Sequence, residues 1–384
     1  MPERSVVTHS RCVDQPAEEP WRNGQLGVGA APLEVLYPQT WRWPGGPAIG
    51  SALNRHVASW LVQKDLLSAD AAHKLVDTLN LDAFVAMAFP GCESDFMRGW
   101  IARYTAWLYL ADDHVEQAVA RDGGLQEVAS YLTALERRTE RLATHPLAMV
   151  LADLSCELLS SVPDTSFARR WRQAHHRYWL LGVLEEGRPA TQALQPCLVR
   201  KPAVTAVEIY FELAEVATGA RLSLEAHDAT EMNELRVLGA LIDGLFNDAL
   251  SFERERERRM HSNIVICLCD ECAMREEHAL RRTIALHNDL VMDFDVLAQA
   301  LLGGHPAQAS ELGPYLQAMR HLLVGLAEWQ VYSRRYRSCL PVKIVVNGPD
   351  VYHPICRAGS FDEATLAEEI TRRLKSERAA TGAS

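Results

Sequence analysis

The sequence predicts an all-α fold, a single helical domain over residues 41–375 of about ten to twelve helices, and three observations carry that expectation. Apolar residues recur with a helical period through most of the chain. Alternating strand patterns bounded by hairpin turns are missing, so that "LPVKIVVNG" is the best β-like run and stands alone. No internal repeat of fixed period breaks the pattern into modules. In chain order, residues 1–40 are an N-terminal extension, polar and rich in Pro and Gly over most of its length and expected to be poorly ordered. A turn-rich stretch, "YPQTWRWPGGPAIG", leads into the first helical pattern, where Leu53, Val57, Trp60 and Leu61 mark one apolar face. The last such face, Leu366, Ile370 and Leu374, follows "SFDE", a capping box at Ser360. Residues 376–384 are expected to be a flexible tail.

Composition narrows the function classes. At 384 residues, 48% hydrophobic and 23% charged, the chain has the material for a sizeable core. Its formal charge of −11 and scattered arginines supply no basic stripe, which argues against nucleic acid as a partner. Nine cysteines without framework spacing suit a reducing compartment. No run approaches the length of a membrane span and the start carries no signal-peptide pattern, so a cytoplasmic protein is expected.

Chemistry concentrates in three stretches. In "WLYLADDHVEQ", Asp112 and Glu116 are one helical turn apart with Asp113 beside them, and carboxylates this close repel unless a cation lies among them. Hard oxygen ligands of this kind suit Mg²⁺; a solvated acidic helix end is the plain alternative. In "NDALSFERE", Asn247, Ser251 and Glu255 recur every four residues, so each advances about 40° around a helix and the three form a slanting row able to converge on one ion. The surrounding "LGALIDGLFNDALSF" looks buried, which weakens the alternative of a solvent-facing stripe. In "WQVYSRRYR", Arg335 brings a fork of donors suited to phosphate and Tyr336 a phenolic hydroxyl.

In this order and spacing, with Asp112 and Asn247 135 residues apart, the three stretches resemble the motifs of the class I terpene synthases (terpene cyclases) of the single-domain microbial type. The aspartate-rich motif is "DDHVE", the Asn/Ser/Glu triad "NDALSFERE" and the closing Arg-Tyr pair "RRY"; the likeness covers roughly residues 50–340. It implies a class I helical bundle around a central active-site cavity, and an enzyme that ionises a linear prenyl diphosphate and cyclises the carbocation. Farnesyl diphosphate, giving a sesquiterpene or its alcohol, is the default substrate. Geranylgeranyl and geranyl diphosphate are the alternatives, and a non-catalytic helical binding protein descended from a cyclase is the reading from another class. A chain-elongating prenyltransferase of the same fold would require two Asp-rich motifs, and the triad argues against it.

The resemblance further implies three Mg²⁺, with Mn²⁺ as a substitute. Asp112, Asp113 and Glu116 would serve two ions, and Asn247, Ser251 and Glu255 the third. Arg254, Arg335 and Tyr336 would touch the diphosphate, and Phe89, Tyr109 and Trp329 would supply aromatic faces to the pocket. A diphosphate-sensing cation is expected upstream of the triad, where Arg200 stands 47 residues before Asn247 and Lys201 stands 46 before it. Pro202 breaks the helix just past Arg200, which favours Arg200 with Lys201 as its stand-in. Glu253 falls off the row and is expected to be dispensable. A homodimer is compatible with the family. "CLCDEC" lacks a second cysteine pair for zinc, and "HHRYW" at His175 and His176 has no partner motif.

Overall fold

The face marked by Leu53, Val57, Trp60 and Leu61 is a helix, α1 (Ala52–Gln63), in the computed structural model. The structure describes residues 6–7, 32–43, 49–119, 123–136, 145–162, 164–184, 193–258, 262–336, 342–346 and 362–376. Most of the expected N-terminal extension, the Ser360 capping box and the tail beyond 376 lie outside the described residues. Val57, Ala58, Trp60 and Leu61 of α1 are buried and Leu53 is half-buried against the core, and its N-terminus is capped from another helix: Leu53 and Asn54 donate their backbone N–H groups to Asp82 (3.2 and 2.8 Å).

Fifteen α-helices occur among the described residues, more than the periodicity suggested. After α1 come α2 (Ala69–Leu79), α3 (Leu81–Ala88), α4 (Asp95–Val119), α5 (Gly124–Glu136), α6 (Pro146–Ser161) and α7 (Thr165–His176). A π-helical turn (Arg177–Val183) extends α7. Then follow α8 (Leu194–Val204), α9 (Val207–Thr218), α10 (Leu224–Asp228), α11 (Thr230–Glu257), α12 (Ile264–Cys272), α13 (Glu276–Gly304), α14 (Ala309–Tyr332) and α15 (Glu363–Ser376). The surplus has a local cause. Asn80, Ala206 and Ala273 adopt left-handed backbone (φ 51°, 57° and 52°) and stop α2, part α8 from α9, and end α12. Left-handed alanines such as Ala206 and Ala273 carry no sequence signal, whereas asparagine at Asn80 is a residue that favours this region.

The long α11 packs along α13 and α14, and α14 lies against α3, so that α11 runs through the middle of the bundle. The closest approach is at Gly325 of α14, where a Cβ would stand 1.9 Å from the Met87 carbonyl oxygen; only glycine lets the two backbones touch. The buried apolar residues form one cluster from Leu33 to Leu374.

The isolated β-like run is not alone. β3 (Val342–Val346) is the central strand of a three-stranded sheet, between β1 (Val6–Val7, antiparallel) and β2 (Leu33–Tyr37, parallel). Its partners come from the stretch expected to be an extension, and Val35 and Tyr37 are buried there. Asn288 of α13 splints the sheet to the bundle: its Oδ1 accepts from Leu36 N (2.9 Å) and its Nδ2 donates to Glu34 O (2.9 Å). A parallel pair assembled across 300 residues leaves no hairpin signature, which is why the sequence pattern missed it.

Candidate active site

Two helices face each other across the main cleft, about 950 Å³ of empty space with its open mouth included. From α4 come Leu108, Tyr109, Asp112, Asp113 and Glu116. From α11 come Asp243, Gly244, Asn247, Asp248, Arg254 and Glu255. Arg335 and Tyr336, just past α14, close one side, and Tyr178, Lys201, Ala206 and Tyr210 line the rest. The acidic motif and two members of the Asn/Ser/Glu row thus share one space. Ser251, the third, opens into an adjoining cleft with Glu253, Arg254, Arg335 and Tyr336.

Several of the acidic residues are held by neighbours. Tyr178, carried on the π turn, donates its hydroxyl to Asp112 Oδ1 (2.7 Å). Burial, then the charge of Asp112, pushes the Tyr178 phenol well above its usual pKa, so it remains a donor. Asn263 donates through Nδ2 to Glu255 Oε2 (2.9 Å) and to the Asp248 carbonyl (2.8 Å). Asp248 takes no place on the row; it accepts from Lys201 Nζ (2.8 Å) and Ile264 N (2.8 Å). Burial and the nearby Glu255 push Asp248 above the usual carboxylate range, with Lys201 opposing. Asp243, half-buried at the cleft wall, is pushed up to about 7 by desolvation. Lys201 passes close to α11 at Gly244, where a Cβ would stand 2.8 Å from the lysine side chain.

The cations and hydroxyls form a second layer. Asn247 Nδ2 donates to Tyr336 OH (2.9 Å), which sits 3.3 Å from Tyr109 OH. The Arg335 guanidinium lies 4.2 Å over the Tyr109 ring and its Nη2 is 3.9 Å from Asp113 Oδ1 across the mouth. Burial alone would lower the Arg335 pKa, but Tyr109, Tyr336 and Asp113 raise it above its ordinary value, so the charge is secure. Arg254 lies 5.7 Å over the Tyr336 ring and donates to the Arg335 carbonyl (3.4 Å).

Three expected site residues stand elsewhere. Arg200 is half-buried and does not line the cleft, whereas Lys201 does. Successive helical residues point about 100° apart, so α8 can turn only one of the two inward. Phe89 and Trp329 lie one layer behind the wall: Phe89 packs on Phe84 and Tyr210 (6.0 and 6.2 Å), and Trp329 on Phe84 and Tyr336 (5.0 and 5.8 Å). Trp329 Nε1 is spent on the Leu79 carbonyl (2.6 Å). Tyr178, Asn263 and Tyr210 were not anticipated; Tyr178 falls within "HHRYW", and nothing in that string announces a π turn.

The row fits a divalent ion. Ser251 is 2% exposed, yet its Oγ has no hydrogen-bond partner, and a buried hydroxyl without one is costly unless a ligand completes it. Asn247 commits its amide nitrogen to Tyr336, which leaves Oδ1 as the hard donor.

Residues 103–293 match the family model described as terpene synthase family 2, C-terminal metal binding. The chain is 24% identical over 315 residues to pristinol synthase of Streptomyces pristinaespiralis, covering 73% of this chain and 79% of that protein. It is 23% identical over 286 residues to a (+)-T-muurolol synthase of Roseiflexus castenholzii, described as (2E,6E)-farnesyl diphosphate cyclizing, covering 72% and 86%. Among solved structures, wild-type cucumene synthase superposes with a TM-score of 0.63 at 19% identity over 76% of this chain and 99% of its own. An α-eudesmol synthase does so with 0.66 at 16% over 76% and 98%. At these identities the structural likeness speaks to the fold.

Proposed function

We propose that this chain, which belongs to the class I terpene synthases, ionises farnesyl diphosphate in the main cleft and cyclises the carbocation to a sesquiterpene or its alcohol. The observation that carries it is the convergence of Asp112, Asp113 and Glu116 with Asn247, Glu255, Arg254, Arg335 and Tyr336 on one cleft. The farnesyl-cyclising relative supports the chain length.

Asp112, Asp113 and Glu116 on one wall and Asn247, Ser251 and Glu255 on the other would hold three Mg²⁺, which when bound neutralise the charge that develops on the leaving diphosphate. Arg254 and Arg335 present fixed donors to the diphosphate oxygens, and Tyr336 adds a hydroxyl between them. On α8, Lys201 rather than Arg200 supplies the cation that faces the diphosphate. The allylic C–O bond breaks, its electron pair leaves with the diphosphate, and the allylic cation remains against Tyr109, Tyr178 and Tyr210. Loss of a proton, or addition of water, ends the cascade. The apolar wall of Leu108, Val204 and Ala206 keeps water from ending it early.

The test is incubation of the purified protein with Mg²⁺ and, separately, geranyl, farnesyl and geranylgeranyl diphosphate, followed by analysis of the volatile and extractable products. A cyclic C15 hydrocarbon or alcohol from farnesyl diphosphate is expected. Turnover of the C20 substrate alone would move the assignment to a diterpene, and absence of product from all three would remove it.

A further inference from the structure

On the far side of α4 from the cleft, His114, Glu127 of α5 and His145 at the N-cap of α6 come together, and one ligand atom of each lies within 4.8 Å of the other two. None of the three lines the cleft. His114 follows Asp112 by two residues, about 200° around the helix, so it faces away from the acidic motif's wall. Its Nε2 is 3.5 Å from Glu127 Oε2, and His145 Nε2 is 3.8 Å from the same oxygen. The two imidazoles lie 4.6 Å apart between ring centroids.

We infer that His114, Glu127 and His145 form a transition-metal site, for Zn²⁺ or an ion of similar preference, separate from the diphosphate cleft. Two imidazoles and a carboxylate are the donor set of a three-ligand zinc centre with one open position, and imidazole nitrogen is a poor match for Mg²⁺. The spacing also suits it. With bonds of about 2.0–2.2 Å, a tetrahedral ion holds its ligand atoms roughly 3.3–3.6 Å apart, close to the separations of the two imidazole nitrogens from Glu127 Oε2. A second observation is independent of spacing. Glu127 Oε2 is buried and accepts no hydrogen bond. A buried carboxylate oxygen left without a hydrogen bond is expensive unless a ligand completes it, and Glu127 Oε2 is the atom both imidazoles approach. The three ligands come from three elements, so a bound ion fastens the end of α4 that carries Asp112, Asp113 and Glu116 to α5 and α6.

Cobalt reports on this site as a spectroscopic substitute for zinc, because a four-coordinate Co²⁺ with nitrogen ligands absorbs far more strongly in the visible than a six-coordinate ion held by oxygens. The chelator-treated full chain, titrated with Co²⁺, is expected to develop a strong visible band that saturates at a single ion per chain and is bleached by Zn²⁺. The band persists in Asn247→Leu, which impairs the cleft's triad, and disappears in His145→Ala. Zn²⁺ raises the melting temperature of the parent and not of His145→Ala. Glu127→Gln decides the matter in the same way if His145→Ala does not fold by circular dichroism. A parent chain without the band, a band that survives His145→Ala, or one lost in Asn247→Leu overturns the assignment.

Discussion

Lys201 and Arg200 are neighbours on α8, and their different fates show what a spacing rule can and cannot resolve. The resemblance implies a cation 46 or 47 residues before Asn247, and Pro202 in the sequence favours Arg200. In the structure Pro202 lies inside α8, and the helix breaks later, at Thr205 and Ala206, which turns Lys201 into the cleft. Arg200→Ala is therefore expected to keep close to the parent rate, while loss of the Lys201 ammonium lowers kcat on the order of 10²-fold or more. Lys201 is also the counter-ion of buried Asp248, and stranding that carboxylate costs about 3–5 kcal/mol. The comparison is cleaner in Lys201→Ala/Asp248→Asn, with melting curves confirming the fold. An inactive Arg200→Ala beside an active double variant would reverse the two roles. The rest of the cleft was more legible. Asp112, Asn247, Glu255 and Arg335 each carry chemistry in their own identity and periodicity. Tyr178 and Asn263, which hold Asp112 and Glu255, are common residue types whose role exists only through tertiary contact.

At the scale of elements, the break between α8 and α9 is the feature on which Lys201 depends. Ala206 supplies it with φ 57° and ψ 2°, a conformation that costs a residue with a Cβ about 1–2 kcal/mol relative to ordinary backbone. Glycine adopts it without that cost but gains freedom in the unfolded chain, which offsets part of the gain. Ala206→Gly should thus stabilise the chain by up to about 1 kcal/mol, read as a higher urea midpoint at unchanged m-value. A lower midpoint would mean that the Ala206 methyl, 7% exposed in the cluster, contributes more packing than its backbone strain costs. The same left-handed residues explain how much of the fold could be read. Helical periods at Leu53–Leu61 and Leu366–Leu374 found their elements. The boundary at Asn80, whose side chain caps α3 by accepting from Ala83 N, is a local signal; those at Ala206 and Ala273 rest on alanines in left-handed backbone, a residue type that announces no break. The sheet failed for another reason: β2 and β3 pair across the length of the chain, and Asn288 rather than a turn sets them against the bundle.

Across the whole molecule, two pairs of a tyrosine with a neutral histidine tie distant elements to the core, and they make stability depend on pH. His175 joins α7 to α4: its Nδ1–H donates to the Trp171 carbonyl (2.8 Å) and its Nε2 accepts from Tyr104 OH (2.9 Å). His287 joins α13 to β2 in the same manner, accepting from Tyr37 OH at Nε2 (3.1 Å) while Nδ1 donates to Asn288 Oδ1 (3.0 Å). Burial lowers His175 to about 3 and His287 to about 4. An unfolded histidine titrates near 6.5. Both pKa values are depressed by folding, so the associated stability is complete above about 6.5 and is lost as the pH falls toward the folded values, the unfolded chain binding protons that the folded chain refuses. At pH 5 one such residue has cost about 2 kcal/mol relative to neutral pH. The half-buried carboxyl of Asp243, raised to about 7, acts in the opposite sense: its contribution is present at low pH and is lost as the pH rises toward 7. The melting profile of the parent therefore mixes the two, and the histidine share has to be read as a difference. His175→Gln removes the titrating ring. The variant is expected to be less stable than the parent at pH 7.5, through lost packing of a fully buried side chain. That deficit should shrink by about 2 kcal/mol by pH 5. Parallel melting profiles for the two proteins from pH 7.5 to 5 would show that His175 is not held neutral by the fold.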